Sequence, residues 1–108
     1  MAWRRSLNEY TIEWLAGARD DLRAIFVWLS ETADPDTAET FVSAIIEHGD
    51  KLRWFPARGT PRPDLGQNVH SIAMRRRVTI AYRIAGDGVQ IVAVRYAGQD
   101  WPGLIRER

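Results

Sequence analysis

The sequence predicts an α+β fold in which a mostly antiparallel sheet is covered on one face by an α-helical hairpin. Two patterns carry this prediction: two segments with helical periodicity in the first half, and β-patterned segments that fill most of residues 67–96. The expected order is strand, helix, helix, strand, strand, strand. With 108 residues, 45 % of them hydrophobic, we expect one domain over residues 1–108, with irregular ends at about 1–8 and 97–108.

The first half is predicted to hold one short strand and two helices. Residues 9–14 alternate polar and apolar side chains, which indicates a strand. Apolar residues at helical spacing predict helix one over about residues 16–31. Asp34 and Pro35 predict the start of helix two, because aspartate can cap free N–H groups and proline already has the required φ angle. We expect this helix to run until Pro56 stops it, and Gly49 inside it indicates a close contact or a tolerated defect.

The second half is predicted to supply the rest of the sheet. Residues 57–64 contain two prolines and a glycine and are expected to cross irregularly from the helices to the sheet. A strand follows over residues 67–74. Residues 75–96 read as a β-hairpin that turns at residues 85–88, where two glycines and an aspartate suit a tight turn. Its first arm alternates, with Val78, Ile80, Tyr82 and Ile84 on one face, and its second arm is apolar on both faces, which predicts the more central strand.

Charge is divided unevenly between the two halves. Residues 1–50 carry four arginines against ten acidic residues, a net −6, whereas residues 51–108 carry eleven basic residues against four acidic ones, a net +7. This asymmetry indicates an anionic partner for the second half, or neutralisation of the basic sheet by the acidic helices. Fourteen of the fifteen basic residues are arginine, which suits bidentate contacts to phosphate or carboxylate groups.

Several classes of protein are not expected from the composition. The chain has no cysteine and two histidines, so we expect no disulfide, no thiol nucleophile, no metal site and no cofactor. It has no apolar run of about 18 residues and no signal-peptide pattern, so we expect a cytoplasmic protein without a membrane span.

Taken together, the ordered motifs resemble the RelE/ParE superfamily of bacterial type II toxins, and most closely its ParE branch. The resemblance covers about residues 10–101. It is carried by four groups of residues: Ala18, Asp21, Leu22 and Ile25; Asp34, Pro35, Ala38 and Phe41; Leu52, Pro56, Gly59 and Arg62; and residues 77–84 with 91–96 and Asp100.

The resemblance implies a toxin that is neutralised by a cognate antitoxin. ParE-like members typically poison DNA gyrase and serve plasmid stabilisation, whereas RelE-like members cut messenger RNA on the ribosome; an inactive homologue that survives as an antitoxin partner is a third alternative. The implied assemblies are a homodimer or a toxin–antitoxin heterotetramer, with operator DNA contacted only through the antitoxin.

The candidate residues for binding the target or the antitoxin are arginines and aromatic residues of the last strands, with two tryptophans: Arg75, Arg76, Arg77, Arg83, Arg95, Tyr96, Trp101 and Trp28. Residues 75–77 could equally be a solvated strand edge. Tryptophans 14, 28 and 54 are expected to pack in the core or an interface. Trp28 and Ile46 are expected to leave apolar surface on the helices for an antitoxin or a second copy.

The ribonuclease alternative would use four of the same side chains: Arg77, Arg83, Arg95 and Tyr96. Metal-free RNA cleavage needs a group that activates the 2′-hydroxyl and cations around the phosphate. Arg83 and Arg95 could form a paired anion site, or each could bind a helix carboxylate. Only Glu47 and His70 are available as the base, and a lone strand histidine is more often a packed residue, so the sequence favours the ParE-like alternative.

Overall fold

The computed structural model describes residues 9–75 and 77–96. Its elements in chain order are β1 (Thr11–Trp14), α1 (Ala16–Thr32), α2 (Pro35–Asp50), two 3₁₀ turns (Lys51–Arg53 and Pro56–Arg58), β2 (Thr60–Pro61), β3 (Val69–Met74), β4 (Val78–Ala85) and β5 (Gly88–Tyr96). The five strands form one sheet in the order β1-β5-β4-β3-β2. β1 runs parallel to β5 and the remaining neighbours are antiparallel. The predicted α+β fold, a helical hairpin on a mostly antiparallel sheet, is confirmed.

The predicted cap of the second helix is confirmed, but its predicted end is not. The Asp34 carboxylate accepts a hydrogen bond from the Thr37 backbone N–H at 2.8 Å, and Pro35 occupies the first helical position. The α-helix ends at Asp50, short of the predicted stop at Pro56, because the chain tightens into a 3₁₀ turn at Lys51. No helix within the described residues is long and apolar enough to cross a membrane.

The structure corrects two predictions, one about the crossing segment and one about the more central strand. The segment expected to be irregular contains β2, in which Thr60 and Pro61 pair with Ser71 and His70 of β3. The middle strand of the sheet is β4, not β5, because β1 occupies one edge and leaves β5 between β1 and β4. Both hairpin arms are therefore interior strands.

The helices and the sheet enclose the main core. The predicted inner face of β4 is confirmed, since Val78, Ile80 and Tyr82 are fully buried there and Ile84 packs against them. The opposite face of the sheet is partly covered as well. A second cluster lies on it, formed by Leu65, Val69, Ala81, Val92 and Ala93 with Leu15.

A β-bulge changes the direction of the side chains at the end of β5. Ala81 of β4 is opposite Ala93, whereas the next residue, Tyr82, is opposite Ile91, so β5 carries one extra residue, Val92. After the bulge Val94 belongs to the helix-side core, as Ile91 does before it. The bulge thereby places Tyr96 on the helix side and Arg95 on the opposite face.

Candidate target-binding surface

The turn between β3 and β4 presents two exposed arginines beside the end of β5. Arg75 has a φ of 52°, a left-handed conformation that is uncommon for residues with a side chain. Arg77 donates a hydrogen bond from Nη1 to the Tyr96 hydroxyl at 3.2 Å. Two of the predicted site residues, Arg77 and Tyr96, are therefore in direct contact. Arg76 and Trp101, also predicted, lie outside the described residues.

Three aromatic rings meet at the same corner of the molecule. The Tyr96 ring lies 5.1 Å from the Trp28 ring and 5.7 Å from the Phe41 ring, measured between centroids, in tilted and edge-on geometries that favour aromatic attraction. Trp28 stays 47 % exposed, so this cluster reaches the surface. Sequence reasoning assigned Phe41 to the core stripe of α2 and missed its place beside Tyr96.

An open groove connects this aromatic cluster to the arginine turn. Arg75 and Phe41 line it with polar residues from the first turns of α2, and its volume is about 310 Å³. We define Trp28, Phe41, Arg75, Arg77 and Tyr96 as the Tyr96 surface. It combines exposed aromatic area with two cations, a composition common at protein-binding sites.

The other two predicted arginines lie on the far face of the sheet and are separated from each other. Arg83 is opposite Gln90, and Arg95 is opposite Thr79, four residues away along β4. At the rise of an extended strand this is roughly 13 Å between backbone positions. Arg95 is also buried, with 8 % of its surface exposed. The structure therefore does not join Arg83 and Arg95 into one anion site.

The two candidate bases lie in different environments. His70 packs flat against Tyr82, with ring centroids 5.6 Å apart and an interplanar angle of 20°. Burial raises the pKa of Tyr82, whose hydroxyl donates to the Pro56 carbonyl and accepts from the Gly59 N–H. His70 is thus a packing residue. Glu47 is exposed on α2 and lines a groove of about 320 Å³ with Arg75 among its other residues.

The other charged pairs and possible metal ligands of the described residues contribute little to a functional site. Hydrogen bonds from Arg62 lower the pKa of Asp64, and the same contact raises the pKa of Arg62, which marks a local structural pair in the crossing segment. Within residues 9–75 and 77–96, no group of three or more histidine or acidic side chains is placed to hold a metal ion. The Tyr96 surface is the feature of the described chain with the clearest binding chemistry.

Comparison with known proteins identifies the family of this chain. Residues 12–101 match the family described as the ParE toxin of the type II toxin–antitoxin system, parDE. A chain from the chromosomal ParDE toxin–antitoxin system of P. aeruginosa is similar in structure, with a TM-score of 0.72 and 24 % identity, over 82 % of this chain and 96 % of that one. A chain of the RelBE2 toxin–antitoxin complex from Mycobacterium tuberculosis gives a TM-score of 0.64 and 24 % identity, over 86 % and 97 %.

No curated protein matches the sequence. At 24 % identity the two structural matches show the shared fold. The family match covers most of the chain, and the chain therefore belongs to the ParE toxin family of type II toxin–antitoxin systems, within the RelE/ParE superfamily.

Proposed function

We propose that this toxin inhibits DNA gyrase by protein–protein contact through the Tyr96 surface. The observation that carries the proposal is the convergence of Trp28, Tyr96 and the arginines of the β3–β4 turn at one exposed corner. Tryptophan, tyrosine and arginine are the residue types that most often dominate the binding energy of protein interfaces. The two cations suit a partner with acidic side chains at its contact.

The separation of the arginines supports docking over RNA cleavage. Arg77 and Tyr96 share one corner, whereas Arg83 and Arg95 lie on the opposite face of the sheet. Transition-state stabilisation would require cations around a single phosphate. One observation favours the ribonuclease as a second candidate: Glu47 shares a groove with Arg75, which puts a carboxylate near a cation.

A cognate antitoxin is the second partner in this proposal. The two similar solved structures come from toxin–antitoxin systems, and the helices here expose Trp28 and Ile46, which are 47 % and 37 % accessible. An antitoxin with an apolar stripe for the helices and acidic residues for the arginine turn fits this surface. It would neutralise the toxin by covering the Tyr96 surface, within a heterotetramer or around a toxin homodimer. Because gyrase lies in the cytoplasm, the proposal carries a cytoplasmic location with it.

Gyrase supercoiling and cleavage-complex assays with purified toxin test the proposal. We expect inhibition by the wild type, and a loss of about tenfold or more in potency for Trp28→Ala and for the double variant Arg75→Gln with Arg77→Gln. The matched controls are Phe26→Ala and Arg23→Gln, exposed residues of the same types elsewhere on α1, which should keep full potency. Equal losses in variants and controls would refute a role for the Tyr96 surface.

A translating-ribosome assay with labelled messenger RNA separates the second candidate. Codon-positioned cleavage that Glu47→Gln abolishes and Glu39→Gln preserves would replace the gyrase proposal with a ribonuclease. Antitoxin binding without either activity would assign the chain to the inactive homologues. Light scattering of the toxin alone and with its antitoxin distinguishes a homodimer from a heterotetramer.

A further inference from the structure

Two adjacent aromatic side chains between the 3₁₀ turns point into solvent. Phe55 is 70 % exposed and Trp54 is 49 % exposed, the two highest values among the exposed large hydrophobic residues of the described chain. We predicted that Trp54 packs in the core or in an interface, and its exposure excludes the core. Apolar side chains that are exposed next to each other can mark a binding site, whereas singly exposed ones are common.

The backbone that carries these rings is anchored on both sides. The carbonyl of Arg53 accepts a hydrogen bond from the Tyr10 N–H at 2.7 Å. The carbonyl of Pro56 accepts a hydrogen bond from the buried Tyr82 hydroxyl at 2.5 Å. The rings are therefore held outward by a fixed segment, which lowers the entropy that a ligand must overcome.

The surroundings of the rings are cationic. Residues 51–63 contain four basic residues and no acidic residue. Lys51 and Arg58 are exposed, and neither takes part in the ion pairs found among the described residues. The nearest acid in sequence, Asp50, accepts a hydrogen bond from the Trp14 ring N–H at 3.0 Å. The aromatic pair therefore sits beside cations that are open to an anionic ligand.

Two cations from different parts of the chain lie beside His48. Lys51 and Arg75 line one groove with His48, together with Glu47. Burial lowers the pKa of His48, and the charges of Arg58 and Lys51 lower it further. Lys51 links this groove to the exposed rings, because its carbonyl accepts a hydrogen bond from the Trp54 N–H at 3.2 Å.

We propose that Trp54 and Phe55, with Lys51, Arg58 and Arg75, form a binding site for single-stranded nucleic acid. Bases stack on the two rings while phosphates contact the cations, a combination typical of single-strand binding without sequence preference. An acidic peptide without aromatic or apolar side chains would use the cations alone, and a duplex hides the faces of its bases. The site shares Arg75 with the Tyr96 surface, but its two rings, Lys51 and Arg58 lie outside that surface, and the site does not involve duplex operator DNA bound through the antitoxin.

Fluorescence anisotropy with the purified full chain tests the site. The probes are fluorescein-labelled oligothymidylate and oligouridylate of about 12 nucleotides, titrated at several salt concentrations. We expect Trp54→Ala and Phe55→Ala each to weaken binding about tenfold, and Phe55→Trp to restore it. Arg58→Gln should weaken binding and reduce the salt slope by about 0.7. The matched controls Phe26→Ala and Arg23→Gln should stay within about twofold of the wild type.

Each outcome decides the proposal. A preference for one probe supports it and identifies the strand as DNA or RNA, and equal binding of both supports it without that distinction. A blunt duplex that binds as tightly as the single strands would overturn it, as would equal losses in Phe55→Ala and Phe26→Ala. Tighter binding of polyglutamate than of either oligonucleotide would also overturn it and assign the surface to an acidic protein segment. Thermal melting of each variant separates lost binding from lost folding. Because Phe55 is 70 % exposed, its substitution should disturb folding least.

Discussion

Replacing Asp21 with alanine should destabilise the protein more than its position on a helix surface suggests. The Asp21 carboxylate reaches across to β5 and accepts a hydrogen bond from the Val94 N–H at 2.9 Å. β1 cannot serve this N–H, because the pairing of β1 with β5 ends where Trp14 meets Ile91. Asp21 therefore supplies the partner for a backbone group just past the bulge of β5.

The size of the effect follows from the burial of Val94, which is 1 % exposed. Losing a charged partner and leaving a buried N–H unsatisfied costs about 1.5 to 3 kcal/mol. For a domain of this length, each 1 kcal/mol corresponds to roughly 4 to 8 °C in melting temperature. We therefore expect Asp21→Ala to lower the melting temperature by about 10 °C.

Urea unfolding followed by circular dichroism measures this loss, provided that the m-value is unchanged. Asp20→Ala is the matched control, since the neighbouring Asp20 makes an exposed ion pair with Arg23 at 3.1 Å and should contribute less than about 0.5 kcal/mol. Asp21→Asn keeps an acceptor oxygen without the charge and should fall between the two. Equal unfolding free energies for Asp20→Ala and Asp21→Ala would refute the reasoning and show that strand pairing alone holds the bulge.

Three further predictions concern packing, a buried hydroxyl and pH. Gly49→Ala should lower the free energy of unfolding by about 1 to 3 kcal/mol, because the new Cβ would lie 2.7 Å from the Trp14 ring. Gly88→Ala is the control and should lower it little, since its Cβ would meet only ordinary contacts. An equal change of melting temperature in both variants would contradict the clash. Tyr82→Phe should cost about 2 kcal/mol in urea unfolding, since two backbone groups of the crossing segment lose their partner, and an unchanged midpoint would contradict that. Hydrogen bonds from Thr37 lower the pKa of Asp34, so the stability that its carboxylate contributes is present above the unfolded pKa and is lost as pH falls through the folded pKa. The melting temperature of the wild type should therefore exceed that of Asp34→Asn by less and less between about pH 5 and pH 2. A difference that stays constant over this range would contradict the prediction.

Local signals were sufficient to predict the helical hairpin. The cap at Asp34 depends on residues within one turn, and the apolar spacing of α1 depends on its own side chains, so both could be recognised without the rest of the fold. The sequence left undecided whether Gly49 marks a close contact or a tolerated defect. The structure shows the contact, because the Trp14 ring occupies the space where a Cβ would lie. A contact of this kind joins residues 35 positions apart and leaves no local pattern.

Features that depend on the edges of the sheet were not predicted. Pro61 suggested irregular structure, yet it belongs to the edge strand β2, where a residue without an N–H is tolerated. The exposure of Phe55 was not predicted, and the exposure of Trp54 excludes the core and leaves the predicted interface. The anchors that hold this segment outward, Tyr10 and Tyr82, come from distant parts of the chain.

The bulge of β5 determines which arginines can act with Tyr96. Alternation along a regular strand would keep Ile91, Ala93 and Arg95 on one face, but the extra residue Val92 reverses this order, so that Tyr96 lies on the helix side with Trp28. An inserted residue is invisible in a segment that is apolar on both faces, since either register buries apolar side chains. Arg95 and Tyr96 point to opposite faces in either register, because they are consecutive residues of one strand. The separation of Tyr96 from Arg83, by contrast, arises from the bulged pairing of β5 with β4, and no pattern local to β5 reveals it.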